Sequence, residues 1–181
     1  MAKKDPQRRA RTRKRIIDAF WLLAGSQPMG AVSVSAVVKE ARVNRSTFYE
    51  YFSSAITLRE AAEDELLAFM REKARGITQA DEGALVEYVG AIYAEQSDKL
   101  RLLLGPGGNA SFVMRLKEAL RPVMAGLVPE GMPEQEAQLR LEFALSGMIA
   151  AYSRWFQAGE SLPVGDASRL VKQMVMSCVE S

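Results

Sequence analysis

The chain has 181 residues, of which 48% are hydrophobic and 25% are charged, as is typical of one or two globular domains. No apolar run approaches the roughly 20 residues of a membrane helix, and a single cysteine fits a reducing compartment, so we expect a cytoplasmic protein without a membrane segment. The absence of histidine excludes Ser-His-Asp and Cys-His catalysis, and one cysteine without histidine argues against a zinc site. We therefore expect no metal, no cofactor and no enzymatic activity.

Charge is divided unevenly along the chain. Residues 1–60 carry a net charge of +7, whereas residues 61–181 carry a net charge of −5. Eight cations and one acid fall within the first 15 residues. A basic N-terminal segment is typical of proteins that bind nucleic acid, although a solvated charged tail has the same composition.

The spacing of apolar residues predicts helices throughout the chain and no strand, so the expected fold class is all-α. In the first half, four predicted helices each follow a residue that can accept hydrogen bonds from the free N–H groups of a first turn. The first helix is expected over 8–24, after Asp5 and Pro6. The second follows Ser33 and runs to about Glu40, and the third follows Asn44 and runs to Phe52. The fourth follows Ser54 and ends before Gly76.

The second half is interrupted by Gly105-Pro106-Gly107-Gly108, the strongest helix breaker in the sequence. Before this run, a fifth helix is expected after Asp81, with Leu85 and Tyr93 on its apolar face. After it, helices are expected over 109–126, 134–158 and 166–179.

Residues 32–58 have the pattern of a helix-turn-helix, in which Val37 faces inward from one short helix and Ala41 and Val43 lie at the turn. The second helix carries a polar and aromatic face that suits the major groove of DNA, because arginine can bind guanine through two hydrogen bonds and tyrosine hydroxyls can bind phosphate. The residues of this face are Asn44, Arg45, Ser46, Thr47, Tyr49 and Tyr51. The alternative is an ordinary helical hairpin, which does not explain why this face lies beside the most basic segment.

The sequence combines Arg13-x-x-Ile16-x-x-Ala19-Phe20 with Val32-Ser33-Val34 and with Ala41-x-Val43-x-Arg45-x-Thr47-Phe48-Tyr49-x-Tyr51-Phe52. In this combination the first 58 residues closely resemble the TetR family of bacterial transcriptional regulators. The string from Asn44 to Tyr49 is similar to the branch of dihydroxyacetone-kinase regulators. The resemblance implies a three-helix N-terminal DNA-binding domain with a basic arm over 1–58, and a C-terminal helical effector-binding and dimerisation domain over 59–181.

The resemblance also implies roles for individual residues. Arg45, Ser46 and Thr47 would face base edges, and Val37, Val43, Phe48 and Phe52 would form the core of the small domain. The other expected DNA contacts are Tyr49, Tyr51, Ser33, Ser35, Asn44 and Arg13. The basic arm would consist of Arg8, Arg9, Arg11 and Arg13, with the minor groove as its expected target.

Two positions depart from the family pattern. Arg42 stands at a turn position where the family commonly has glycine, so it should be slightly strained or should add a phosphate contact. Ala55 stands where the family often has a lysine that touches a phosphate. We therefore expect the protein to depend more on its N-terminal arginines.

The C-terminal half carries aromatic and methionine residues on the inner faces of its helices, a pattern that is more often plain core than a ligand site. By resemblance to the family, Tyr93, Phe112, Met148 and Tyr152 are candidate effector-binding residues. The same resemblance implies a dimer through 134–158 and 166–179. Leu170, Val171, Met174 and Cys178 would provide its apolar seam.

These patterns favour a homodimeric regulator that binds a palindromic operator in double-stranded DNA. We expect it to repress transcription, and we expect a small-molecule effector to release it from the operator. The alternative is an architectural DNA-binding protein or an activator without an effector. A helical enzyme would require paired carboxylates. The acids Glu63, Asp64 and Glu65, however, occur beside arginine and lysine in a pattern typical of a solvated face.

Overall fold

The computed structural model describes residues 6–75 and 83–179. Within these ranges the chain forms eight α-helices, one short 3-10 helix at Met29–Ala31 and no strand, which confirms the all-α class. The α-helices are α1 (Pro6–Ala24), α2 (Val34–Glu40), α3 (Arg45–Tyr49), α4 (Ala55–Lys73), α5 (Ala84–Leu104), α6 (Ala110–Ala125), α7 (Glu134–Gln157) and α8 (Val164–Val179). None of these described helices combines the length and the apolarity that spanning a membrane requires.

The chain divides into two compact units, Met1–Leu66 and Leu67–Ser181, and the boundary falls inside α4. The first unit has a core of aromatic and aliphatic side chains from each of its helices. Ile16, Phe20, Val37, Phe48, Phe52 and Leu58 are all at most 5% exposed. Val43, which was predicted to belong to this core, is only half-buried, because it lies in the turn rather than on a helix face.

Two of the predicted helix caps are formed by side chains. The Ser33 hydroxyl accepts a hydrogen bond from the Ala36 N–H at 3.2 Å. Ser54 and Thr57 cap α4 reciprocally, since each hydroxyl accepts from the other residue's N–H, at 3.1 and 3.0 Å. The predicted caps Asp5 and Asp81 lie outside the described residues.

The prediction for the third helix is wrong in two details. Asn44 holds the N-cap position of α3, but its side chain makes no capping hydrogen bond. The helix ends at Tyr49 rather than at Phe52. The Phe52 N–H still bonds the Phe48 carbonyl at 3.0 Å, but the chain must then turn within two residues to enter the cap of α4 at Ser54.

In the second unit, α7 packs along α8 and α6, and α5 packs against α6, α7 and α8. The predicted break between α5 and α6 is confirmed. Gly107 has a φ of +81°, and a Cβ on Gly108 would come within 2.6 Å of the Leu103 carbonyl oxygen. The turn therefore requires glycine at both positions.

Glu63 contradicts the prediction of a solvated acidic face. Its side chain is 1% exposed and lies 3.7 Å from the Arg59 guanidinium, whereas Asp64 and Glu65 are exposed. Position 63 lies between the buried Ala62 and the buried Leu66 in helical spacing, so its carboxylate falls on the inner face of α4.

Candidate nucleic-acid interface and internal cavity

Helix α3 presents a polar face to solvent and one aromatic ring, Phe48, to the core. The Arg45 guanidinium donates to the Ser35 hydroxyl at 3.4 Å and to the Tyr49 hydroxyl at 3.2 Å, and lies 5.7 Å from the centre of the Tyr49 ring. Neutral hydroxyls are weaker partners for arginine than a carboxylate is. Arg45 is therefore oriented on the surface but still able to exchange these partners for a base edge.

The other predicted contact residues surround Arg45. Ser33, Asn44 and Ser46 are exposed, and Thr47 and Tyr51 are half-buried. The Ser33 oxygen already accepts the capping bond from Ala36, but its O–H group remains a donor. Such a donor at the start of a helix suits a phosphate oxygen.

An open groove of about 800 Å³ runs between α1 and the turn that leads into α3. Its walls are formed largely by arginines. Its lining residues are Arg8, Arg11, Thr12, Arg15, Arg42, Val43, Asn44 and Thr47. All four arginines are exposed to solvent. A concave surface with this charge attracts a polyanionic backbone.

The arginines of the predicted basic arm belong to α1, so any contact they make with DNA comes from a helix rather than from an extended segment. They do not all face the groove. Arg9 lies 5.9 Å from the centre of the Tyr51 ring. Arg13 lies 5.6 Å from the centre of the Phe52 ring and forms an ion pair with Glu65. Arg8 and Arg11 line the groove.

Replacing Arg8, Arg11 and Arg15 together by glutamine should weaken binding to every DNA sequence. The slope of log K against log salt should flatten by about 0.9 for each phosphate that the protein no longer neutralises. Folding should be unaffected, because the buried face of α1 begins at Ile16. The matched control is Lys14→Gln, which removes a cation of the same helix that does not line the groove and pairs with Asp18 at 2.7 Å. An equal flattening in the control would contradict a role for the groove.

The turn between α2 and α3 holds Arg42 in the left-handed region, with a φ of 49°. The strain expected for a residue other than glycine at this position is therefore present. A non-glycine residue in this region costs on the order of 1 kcal/mol. The side chain lines the arginine groove, where a phosphate contact would offset this cost. Ala55, the first residue of α4, adds no cation.

Replacing Arg42 by asparagine should separate backbone strain from DNA contact. Asparagine tolerates the left-handed region, so the free energy of unfolding in urea should stay the same or rise by up to about 1 kcal/mol. The slope of log K against log salt should flatten by about 0.9. Arg42→Lys keeps the charge and serves as the control. Equal slopes for the two variants would show that Arg42 does not bind a phosphate.

The second unit encloses a cavity of about 60 Å³ between α5, α6 and α7. Its wall, as far as the structure describes it, includes no charged residue. Three of the four residues predicted to bind an effector, Tyr93, Met148 and Tyr152, lie in this wall. Phe112 is fully buried but does not line the cavity.

Tyr93 of the cavity wall belongs to a polar network whose two charged members, Arg101 and Glu160, do not line the cavity. The Tyr93 hydroxyl donates to the Glu160 carboxylate. The same carboxylate accepts a hydrogen bond from the Arg101 guanidinium at 3.1 Å. The hydrogen bond from Arg101 lowers the pKa of Glu160, and the bond to Glu160 raises the pKa of Tyr93. Glu160 has a φ of +58° in the loop between α7 and α8. These contacts therefore hold a strained residue in place.

The remaining polar groups of the cavity wall differ in how they are paired. The Tyr152 hydroxyl donates to the Ser168 hydroxyl at 3.2 Å, and the Trp155 indole N–H donates to the Leu162 carbonyl at 2.9 Å. The Tyr88 hydroxyl has no hydrogen-bond partner among the described residues, although it is buried.

Helices α7 and α8 expose large apolar side chains. Leu139, Phe143, Leu170 and Met174 are between 50% and 74% exposed. A groove of about 190 Å³ lies among Phe143, Gly147, Met174 and neighbouring residues. Val171, which was assigned to the same seam, is only 7% exposed and packs inside its own chain. Cys178 is half-buried.

Sequence reasoning missed Arg15 in the groove and Tyr88 and Trp155 in the cavity. Arg15 had a detectable signal, because Arg8, Arg11 and Arg15 follow the spacing of one helix face. Tyr88 had none, since its spacing shows that it faces inward but not that a space lies beside it.

Comparison with known proteins agrees with this architecture. Residues 16–62 match the family described as "Bacterial regulatory proteins, tetR family". No curated protein sequence matches the chain.

The fold is shared with solved structures over 93% of this chain. A TetR transcriptional regulator from Streptococcus agalactiae 2603V has a TM-score of 0.72 and 23% identity, with 96% of its chain covered. The dihydroxyacetone kinase operon activator DhaS has a TM-score of 0.69 and 15% identity, also with 96% of its chain covered. A tetR-family transcriptional regulator from Streptomyces coelicolor has a TM-score of 0.72 and 16% identity, with 80% covered.

At these identities the solved structures establish the fold. The family match covers α2 and α3 with the second half of α1 and the start of α4, so it includes Arg42 and the Arg45 face but not Arg8, Arg11 and Arg15. Residues 16–62 are therefore similar to the tetR family of bacterial regulatory proteins, and the chain shares the fold of the solved regulators.

Proposed function

We propose that the protein is a cytoplasmic homodimer that binds a palindromic operator and represses the adjacent genes until a small molecule binds in its second unit. The observation that carries the proposal is the position of the Arg45 face beside the arginine groove. The groove would supply cations for the phosphate backbone, and α3 would supply the side chains for base edges. No enzymatic step is part of this function.

The apolar seam of α7 and α8 supports the homodimer. A helix as short as α3 can read only a few base pairs, too few to select one site in a genome. Two copies related by a two-fold axis double the number of base contacts and fix their separation. The operator should then be an inverted repeat with half-sites centred about one helical turn apart, or a multiple of it.

The cavity supports regulation by a ligand. Binding there would weaken operator binding if it changed the spacing of the two DNA-binding heads. A coupling of about 1–3 kcal/mol is typical of such regulators. The coupling is reciprocal, so operator DNA should weaken ligand binding by the same factor.

The alternative is activation, or DNA binding without an effector. One of the solved structures with this fold is named an operon activator, so the fold is compatible with activation. A reporter gene under the bound promoter decides between them, because expression rises on deletion of the regulator if it represses and falls if it activates.

Selection of bound fragments from random genomic DNA, followed by footprinting, tests the proposal. We expect enrichment of one inverted repeat, protected on both half-sites by the purified protein. Uniform recovery of all fragments would contradict a specific regulator and would favour an architectural DNA-binding protein.

A further inference from the structure

The inference starts from the Tyr88 hydroxyl. Tyr88 lies in α5, its side chain lines the cavity, and the residue is 8% exposed. Its hydroxyl has no hydrogen-bond partner among the described residues. Burial raises the pKa of this phenol, so it stays neutral and can act as donor or acceptor. A buried hydroxyl without a partner destabilises a protein, so such groups are rare unless a ligand or another group completes them.

The other polar groups of the cavity wall do not need a ligand. The Tyr93 hydroxyl is bound to Glu160, the Tyr152 hydroxyl to Ser168, and the Trp155 N–H to the Leu162 carbonyl. Within the described part of the chain, the Tyr88 hydroxyl is therefore the one polar side-chain group of the wall residues without a partner. The hydroxyl is buried behind the apolar cavity surface, so a ligand oxygen reaches it when the wall side chains move apart.

The wall defines the rest of the ligand. Its described residues carry no charge, so an ionised ligand would lose its hydration without gaining a counter-charge. One side is aromatic, with the Trp155 ring 5.4 Å from the Tyr93 ring and 5.0 Å from the Phe156 ring between centroids. At about 60 Å³ the cavity is small, but Met70 and Met148 line it, and methionine side chains adapt readily to a new shape.

We propose that this cavity binds a small, uncharged, largely apolar molecule with one hydrogen-bonding oxygen, and that this oxygen pairs with the Tyr88 hydroxyl. The proposal rests on the proposed function in treating this molecule as the effector. It goes further by naming the chemical class of the effector and the residue that selects it.

The first test uses the protein without ligand. Tyr88→Phe removes an unpaired buried hydroxyl, so its melting temperature should equal or exceed that of the wild type. Tyr152→Phe is the matched control, since it removes a hydroxyl that is bonded to Ser168, and its melting temperature should fall. A lower melting temperature for Tyr88→Phe, comparable with that of the control, would show that the Tyr88 hydroxyl has an internal partner and would overturn the proposal.

The second test measures binding of benzyl alcohol, toluene and benzoate, which share a ring but differ in their polar group. Trp155 lines the cavity and reports binding by fluorescence. Because the chain has two tryptophans, Trp21→Phe is introduced into all variants. We expect benzyl alcohol to bind about tenfold more tightly than toluene, and benzoate to bind more weakly than both. Tyr88→Phe should abolish the preference for the alcohol, whereas Tyr152→Phe should retain it.

Three results would overturn the proposal: no response to either neutral probe, tightest binding of benzoate, or the same preference for the alcohol in wild type and Tyr88→Phe. Operator affinity is measured separately with the same probes. If benzyl alcohol binds through Tyr88 but leaves operator affinity unchanged, the binding site is supported and release by an effector is contradicted. The two proposals can therefore fail independently.

Discussion

Replacement of both Leu170 and Met174 by glutamate should convert the protein into a monomer that no longer binds its operator. The two side chains are 50% and 55% exposed on α8, so the substitutions leave the buried face of this helix, with Val171 and Val175, intact. The new carboxylates of both copies would then face each other in a two-fold contact and would have to be buried without counter-charges. Loss of the second DNA-binding head should lower operator affinity by about a hundredfold or more.

Light scattering and a footprinting titration on the same samples measure this effect. Met114→Glu is the matched control, because it makes the same change at a residue that is 71% exposed on α6, outside the α7 and α8 seam. The control should remain dimeric and protect both half-sites. A double variant that stays dimeric would show that α8 does not form the interface. A monomer that protects a single site with undiminished affinity would show that operator binding does not require the dimer.

Arg45→Ala should lower affinity for the specific operator by about 1–3 kcal/mol and relax selectivity at one base position in each half-site. The guanidinium is exposed and is held by two neutral hydroxyls, those of Ser35 and Tyr49, so it can give two parallel N–H groups to a guanine. Arg45→Lys should not restore selectivity, because an ammonium group cannot form this paired contact.

Arg15→Ala is the control for this prediction, since Arg15 lines the groove and is expected to contact phosphate only. This substitution should weaken binding to the specific operator and to random DNA equally. Binding curves on the operator, on single-base variants and on random duplex distinguish the two behaviours. An equal loss for Arg45→Ala on all three would make Arg45 a phosphate contact as well.

Much of the fold follows from short-range patterns in the sequence. Helix positions depend on apolar spacing and on caps such as Ser33 and Ser54, which act within one turn of the helix. The end of α3 was misjudged because residues up to Phe52 have helical spacing, but the chain has to turn into α4. The prediction that Glu63 is exposed was wrong, because the charged residues around it have the pattern of a solvated face, whereas the helix turns the Glu63 side chain inward.

The polar face around Arg45 could largely be predicted, because its residues are close in sequence. Asn44 to Tyr49 are consecutive, and Arg8, Arg11 and Arg15 share one face of a single helix. The groove between these two segments was not predictable. It depends on how α1 lies beside the turn at Arg42, which is a matter of packing in the first unit.

The cavity of the second unit, in contrast, could not be predicted from neighbours in the sequence. Amphipathic spacing places Tyr88, Tyr93 and Phe112 on inner faces, and nothing in the sequence distinguishes a residue beside a space from one in a filled core. The packing of α5 against α6 and α7 makes that distinction, since it leaves room beside Tyr88 and none at Phe112. Local patterns could therefore establish the helices and the Arg45 face, because both arise from neighbours in the chain. The unpaired Tyr88 hydroxyl, which has no partner among the described residues, emerged only with tertiary packing, and so did the burial of Val171 within the seam that the sequence predicts at Leu170 and Met174. Burial and exposure depend on residues that are distant in sequence.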